Sequence, residues 1–248
     1  MLVRNSDWAM GILYLVRHAQ ASFLEHNYDK LSELGEAQAR LLGEYWTRRG
    51  IVFDRACTGP RVRQKSTVKL VNDAYCKAGL EFPEPLVFCE LDEYPGEAVL
   101  AGGLMEMLEK DRSIRDLYMT FESSSGSAGR RLAFQKLFEA VLGQWVRGEF
   151  CLQGVESWPE FCSRVNSGLE KFLSVGGNGE RVAIFTSGGP IAVAMQRALQ
   201  LSPEKTLQIS WMSRNSSWSE FMYDAKRFTL CSFNTHGHID DPEMLTYR

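Results

Sequence analysis

Apolar positions along this chain alternate between short continuous runs and stretches in which they recur every three or four residues. The run at 12–16, in GILYLVRHAQAS, is short enough for a buried strand and is cut off by Arg17 and His18. VAIFTS at 182–187 predicts a second buried strand. IVFDRACTGP predicts a short strand near 53–57 before a Gly-Pro break, and LVFC at 86–89 is strand-like. WSEFMYDAKRFTLCSFN predicts two strands joined by a turn at 224–226. Helical spacing lies between these runs. In LSELGEAQARLLGEYWTRRG, Ser32 is a plausible cap, Leu34, Ala37, Leu41 and Tyr45 share a face, and Gly50 ends the helix. A second helix is predicted from 64 to about 78, through Val68, Val71 and Tyr75. ESWPEFCSRVNSGLEKFL predicts a third from 157 or 158, with Pro159 in its first turn and Phe161, Val165, Leu169 and Phe172 facing inward. The glycine turn at 188–190 opens a helix over 191–201.

Alternating strands and helices predict an α/β fold. The rhythm stops between about 97 and 153, where helical patterns surround a flexible break, SSSGSAG, at 123–129. The expectation is one domain over 1–248 with an inserted, mostly helical cap at about 97–153, and a loose polar tail.

Composition narrows the function classes. The chain has 248 residues, 44% hydrophobic and 24% charged, with a net charge of −3 and no basic block. Nothing in it favours nucleic acid or an anionic membrane surface, so positive charge for an anionic ligand must be gathered locally. The first eleven residues lack the apolar core of a secretory signal, and no apolar run approaches the ~20 residues that span a bilayer. Six cysteines are scattered without a Cys-Xaa-Xaa-Cys pair or a histidine at zinc spacing. The expected protein is reduced and cytoplasmic, with no metal and no cofactor. Its oligomeric state is not legible.

Candidate chemistry collects at strand ends. Arg17 and His18 end the first strand, where open α/β sheets place their ligands. Arg17 offers a planar, permanently charged fork, and His18 a nitrogen suited to nucleophilic or base chemistry. The Ser187-Gly188-Gly189 turn presents unpaired amides at a helix start, a natural anion site. Arg61 and Arg63 follow a third strand end. Each feature alone is compatible with a surface charge or a satisfied strand-end side chain; together they suggest a shared phosphate pocket.

In order, LVRHAQAS, LSELGEAQA, GPRVRQKST, ELDEY, ESWPEFCSRV, FTSGGPIA and FNTHGHID make the chain resemble the histidine phosphatase superfamily, or phosphoglycerate-mutase-like proteins, over 12–240. The resemblance implies a three-layer α/β/α fold, with a mostly parallel sheet and helices on both faces. It implies a phosphomonoesterase acting on a small phosphorylated substrate through a phosphohistidine, without a metal. The alternatives are a mutase-type phosphotransferase or a catalytically weak phosphate-binding module. By the same resemblance, His18 takes up the phosphoryl group, Arg17 and Arg63 clamp it, and Glu93 protonates the leaving oxygen, with Glu90 as the rival acid. Gly188 joins the phosphate site, Gln20 and Ser22 are candidate substrate contacts, and Arg61 has an open role. Glu156-Ser157 supports fold and pocket rather than chemistry, and His238 lies outside the catalytic set.

Two positions depart from the family pattern. Ala19 stands where glycine is usual, which is tolerable at negative φ. Ser187 stands where a second histidine usually donates to the phosphoryl oxygens. Replacing a charge-assisted bond by a neutral one costs on the order of 1–2 kcal/mol, about ten- to thirtyfold in rate, which favours a weakened or specialised enzyme over a dead one. Burial and the neighbouring Asp92 and Glu90 are expected to raise the Glu93 pKa.

Overall fold

The structure, a computed structural model, describes residues 10–22, 29–175 and 179–247. One six-stranded sheet organises it. The strands are β1 (Gly11–Arg17), β2 (Arg55–Thr58), β3 (Leu86–Val87), β4 (Arg181–Thr186), β5 (Trp218–Tyr223) and β6 (Phe228–Thr235), in the order β3-β2-β4-β1-β5-β6. The four strands from β3 to β1 run parallel, while β5 and β6 are antiparallel additions beside β1. The sheet is therefore mixed but mostly parallel, an α/β architecture.

β1 and β4 are central, and their sequences show it: Leu13, Leu15, Val16, Val182, Ala183, Ile184 and Phe185 are all fully buried. Such near-continuous apolar runs are what a strand covered on both faces requires. On one face, Tyr14, Val16, Ala183 and Phe185 pack with helices α1 (Glu33–Arg48) and α2 (Val62–Lys77), through Leu42, Trp46, Val68, Val71 and Tyr75. Trp46 sits in the middle, its ring 5.9 Å edge-on from Tyr14 and 5.0 Å from Phe53.

Helix α1 shows where pattern reading slips. The predicted inward face was Leu34, Ala37, Leu41 and Tyr45, but the buried stripe is Gly35, Gln38, Ala39, Leu42, Gly43 and Trp46. Two glycines cause the rotation. A Cβ on Gly35 would lie 2.0 Å from the Gln20 carbonyl oxygen, and one on Gly43 would lie 2.7 Å from the Ala74 Cβ. The helix is therefore seated on its small residues, a packing choice that a hydrophobicity pattern does not encode.

After β3, a 3-10 turn at Cys89–Leu91 replaces the predicted continuation of that strand. Helix α6 (Trp158–Ser174) buries Phe161, Val165, Leu169 and Phe172 as expected. Helix α7 begins at Gly188, three residues before the predicted start, and runs to Leu199. Helix α8 (Pro203–Met212) was not anticipated, although Ser202 caps it by accepting from the Lys205 amide and Pro203 opens it.

The chain divides into two compact units, Tyr94–Ser163 and the remainder. The first contains α3 (Gly96–Lys110), α4 (Arg112–Ser123) and α5 (Ser127–Val146). Its core is Ile114, Leu137, Val141, Leu142 and Trp145, with Trp145 edge-on to Trp158 at 5.5 Å. The expected flexible break at 123–129 shrinks to three residues, because α5 starts at Ser127. The tail, expected to be loose, is tied down: the Gln38 amide donates to the Met244 carbonyl at 2.7 Å and to the Thr246 hydroxyl at 3.0 Å.

Candidate active site

The β1 strand end delivers His18 with its backbone fixed on both sides. The His18 N–H donates to the Thr186 carbonyl at 2.8 Å, carrying on the β1–β4 register in which Arg17 faces Thr186. Its carbonyl accepts from the Asn215 side chain at 3.2 Å and the Ser216 amide at 3.3 Å. The next amide, of Ala19, donates to the Thr67 hydroxyl at 3.0 Å. Ala19 is fully buried and has no left-handed φ, so the missing glycine costs nothing there.

The imidazole itself is 6% exposed. Its Nδ1 lies 2.8 Å from the Ala19 carbonyl oxygen, which can only accept, so Nδ1 carries the proton and Nε2 keeps its lone pair. Arg63 Nε donates to Nε2 at 3.1 Å. Burial above all, and then the Arg63 and Arg17 charges, hold the imidazole pKa well below its usual value. The ring is a neutral tautomer whose unprotonated nitrogen, Nε2, faces the Arg63 guanidinium.

Arg63 belongs to the first turn of α2 and is buried, so its fork is held in place by the helix. Its Nη1 pairs with Asp29 Oδ1 at 2.9 Å, and the other Asp29 oxygen accepts from the Val62 amide at 2.8 Å. Arg17 is buried at the end of β1, and its Nη1 donates to the Ser213 carbonyl. Arg61 is the residue before α2 and reaches Asp92, Nε to Oδ1, at 2.5 Å.

The two rival carboxylates separate cleanly. Glu93 lies at the start of α7, where the Gly189 amide donates to its two oxygens at 3.1 and 3.2 Å. Glu90 pairs instead with Lys171 of α6 at 2.5 Å, and that ammonium holds its carboxyl below the usual range. The Gly189 amide at the α7 start is thereby taken by the Glu93 side chain.

Ser187 is fully buried and accepts from Gln64 Nε2 at 2.8 Å. Gly188 has a packing reason: a Cβ there would lie 2.6 Å from the Ser210 carbonyl oxygen. Gln20 and Ser22 are engaged locally. The Gln20 Oε1 accepts from the α1 cap Ser32 at 2.8 Å, and the Ser22 hydroxyl donates to the Leu31 carbonyl at 3.1 Å. Ser22 also lines a cavity of about 410 Å³ with Lys30, Ser32, Glu33, Ser66 and Lys69. In Tyr94–Ser163, the Ser157 hydroxyl and amide both donate to Glu160 at 2.7 Å, capping α6, while the Glu156 carbonyl accepts from Trp145. His238 sits 2.8 Å from the Ser216 hydroxyl, and burial pushes its pKa down to about 3. His26 lies outside the described residues.

The structure thus brings His18 and Arg63 into direct contact, joins Ser187 to Gln64, the residue after Arg63, and sets Glu93 against the Gly189 amide. Sequence reading gave no role to Asp29, Gln64, Asn215 or Ser216, although Gln64 lies within the GPRVRQKST stretch. Gln64 left one signal, a polar residue on the buried face of α2. Among the described residues, no group of three His, Cys, Asp or Glu side chains is placed to hold a metal ion, and no helix is long and apolar enough to cross a membrane.

The model of the histidine phosphatase superfamily (branch 1) matches residues 129–236, a span that contains the Ser187 turn but not His18. Several solved structures share the fold. A phosphoglycerate mutase from Bacillus anthracis is 17% identical, with 95% of this chain and 97% of that one covered and a TM-score of 0.61. YhfR from Bacillus stearothermophilus is 17% identical, covering 93% and 100%, with a TM-score of 0.64. A phosphoserine phosphatase mutant from Entamoeba histolytica, in complex with phosphoserine, is 17% identical, covering 93% and 100%, with a TM-score of 0.58. No curated protein matches the chain.

Proposed function

We propose that the chain, whose residues 129–236 match the histidine phosphatase superfamily and whose fold its structures share, is a phosphomonoesterase of that superfamily acting through a phosphohistidine at His18. One observation carries the reading. A buried imidazole has its proton fixed on Nδ1 by the Ala19 carbonyl, while an arginine donor occupies the Nε2 lone pair at 3.1 Å. An arriving phosphoryl group offers that arginine a stronger, charge-assisted partner and frees Nε2 for in-line attack.

In the first step the Nε2–P bond forms as the ester P–O bond breaks, and Glu93, protonated at the start, gives its proton to the departing alkoxide. In the second, water attacks phosphorus, Glu93 takes its proton, and the N–P bond breaks. Arg17 and Arg63 hold the equatorial oxygens throughout, with the Gly188 amide and the Ser187 hydroxyl adding neutral donors. Neutral imidazole is the reactive form, and the suppressed His18 pKa supplies it. The substrate is a small phosphorylated molecule.

The test is release of phosphate from p-nitrophenyl phosphate and from a panel of phosphorylated metabolites, with excess chelator present. The expected result is turnover lost in His18→Ala, together with an acid-labile phosphoryl group on His18 in quenched wild-type enzyme. Hydrolysis that survives His18→Ala would overturn the reading. So would bisphosphoglycerate-dependent isomerisation of phosphoglycerate outrunning hydrolysis.

A further inference from the structure

Gln64 is fully shielded from solvent and is the third residue of α2, where its side-chain oxygen caps the helix start; the NH2 end of the same amide is left over for another partner. Its orientation is fixed by what surrounds it. The Arg61 backbone N–H, a donor, lies 3.0 Å from Oε1, so the other end of the amide, the NH2, must face Ser187 at 2.8 Å. The neighbouring backbone makes room for it: a Cβ on Gly59 would fall 2.3 Å from Gln64 Oε1.

The direction of that bond decides the state of Ser187. Its oxygen accepts from Gln64, so its own proton must point elsewhere. The hydroxyl makes no cap bond to the amides of α7, and among the described residues its proton has no acceptor. Ser187 follows Thr186, whose carbonyl takes the His18 amide, so the two residues leave neighbouring parallel strands at the same end of the sheet. Arg63, the residue immediately before Gln64 in α2, donates to His18 Nε2.

We propose that Gln64 is a positioning residue, which by donating to Ser187 Oγ turns the Ser187 hydroxyl into an oriented neutral donor to the phosphoryl group on His18. This rests on the phosphatase reading above and deepens it: Gln64 and Ser187 together form the donor at this corner of the site. Gln64 touches neither substrate nor reacting atoms and acts through Ser187 alone.

The experiment is a double-mutant cycle in the full-length protein, using Ser187→Ala, Gln64→Met and the pair, with Gln64→Glu as a shape-preserving fourth variant. Gln64→Glu replaces the donor by an acceptor, which takes the Ser187 proton for itself. Each variant is assayed for kcat and KM on p-nitrophenyl phosphate and for orthovanadate affinity, with the melting temperature as the control for folding. One neutral hydrogen bond corresponds to about fivefold to tenfold, so Ser187→Ala and Gln64→Met should each lower kcat by about that factor with KM little changed. Gln64→Glu should lose more than tenfold. In the Ser187→Ala background, Gln64→Met should then change kcat and vanadate affinity by less than twofold. Equal losses in both backgrounds, or a Gln64→Glu enzyme as active as wild type, would show Gln64 to be packing only. Should wild type turn over no phosphomonoester, the phosphatase reading fails, and the vanadate cycle still decides the Gln64–Ser187 coupling.

Discussion

At position 18 two independent constraints act on one ring: a carbonyl fixes the proton on Nδ1, and burial beside two guanidinium groups keeps the second proton off. The acid limb of kcat/KM, corrected for ionisation of the substrate, should therefore lie well below pH 6.5. Since Arg63 is the largest charge contribution after burial, Arg63→Met should move the His18 titration upward, read directly by NMR of the imidazole whether or not the variant is active. An unmoved titration would mean that burial alone sets it. Arg63→Lys keeps the charge but loses the fork that spans His18 and Asp29, and should lower kcat/KM by about a hundredfold.

The elements place these residues through close backbone approach. Gly35 of α1 lets the helix rest on the Gln20 carbonyl, two residues beyond His18, and Gly188 lets α7 rest against Ser210 of α8. Both obstacles are backbone atoms, which cannot swing aside. Gly35→Ala should therefore destabilise the fold by about 2–3 kcal/mol in urea titration and lower kcat, because the strain falls on the segment carrying His18, the proposed nucleophile. Gly188→Ala should cost about 1–3 kcal/mol for the same reason. A Gly35→Ala protein with unchanged midpoint and rate would show that α1 slides freely on that segment. Asn215 joins a further element to the site, donating to the His18 carbonyl while its own oxygen accepts from Thr246. Asn215→Ala should thus cost activity as well as stability.

Across the whole molecule, pH enters through histidines buried in the neutral state. His238 titrates near pH 6.5 in the unfolded chain and near 3 in the folded one, and His18 is depressed in the same direction. Between those limits the unfolded chain binds protons that the folded chain does not, so stability is full above about pH 6.5 and falls as pH drops. Each histidine contributes a slope of up to about 1.4 kcal/mol per pH unit. Urea midpoints at pH 7, 6 and 5 should show the fall, and His238→Asn should flatten it. An unchanged slope would assign the acid sensitivity to carboxylates alone.

Much of this was legible in the residues. Continuous apolar runs marked β1 and β4 as central strands, because a strand covered on both faces has no polar side to show. The Arg17-His18, Arg63 and Ser187 positions stood out because each follows a strand or a glycine turn, where an α/β sheet presents its ligands. The face of α1, helix α8 and the anchored tail were not legible, since each depends on how closely backbones approach or on a partner some 200 residues distant.

The order of the strand ends, and hence which chemistry the chain could gather, was determined by local hydrophobic patterning alone. Which atoms meet was decided only by the tertiary fold. The tautomer of His18, the choice of Glu93 over Glu90 at the α7 start and the Gln64 bond to Ser187 all arise from hydrogen bonds between groups remote in sequence. Such bonds have direction and a reach of about 3 Å, and no periodicity along the chain carries either.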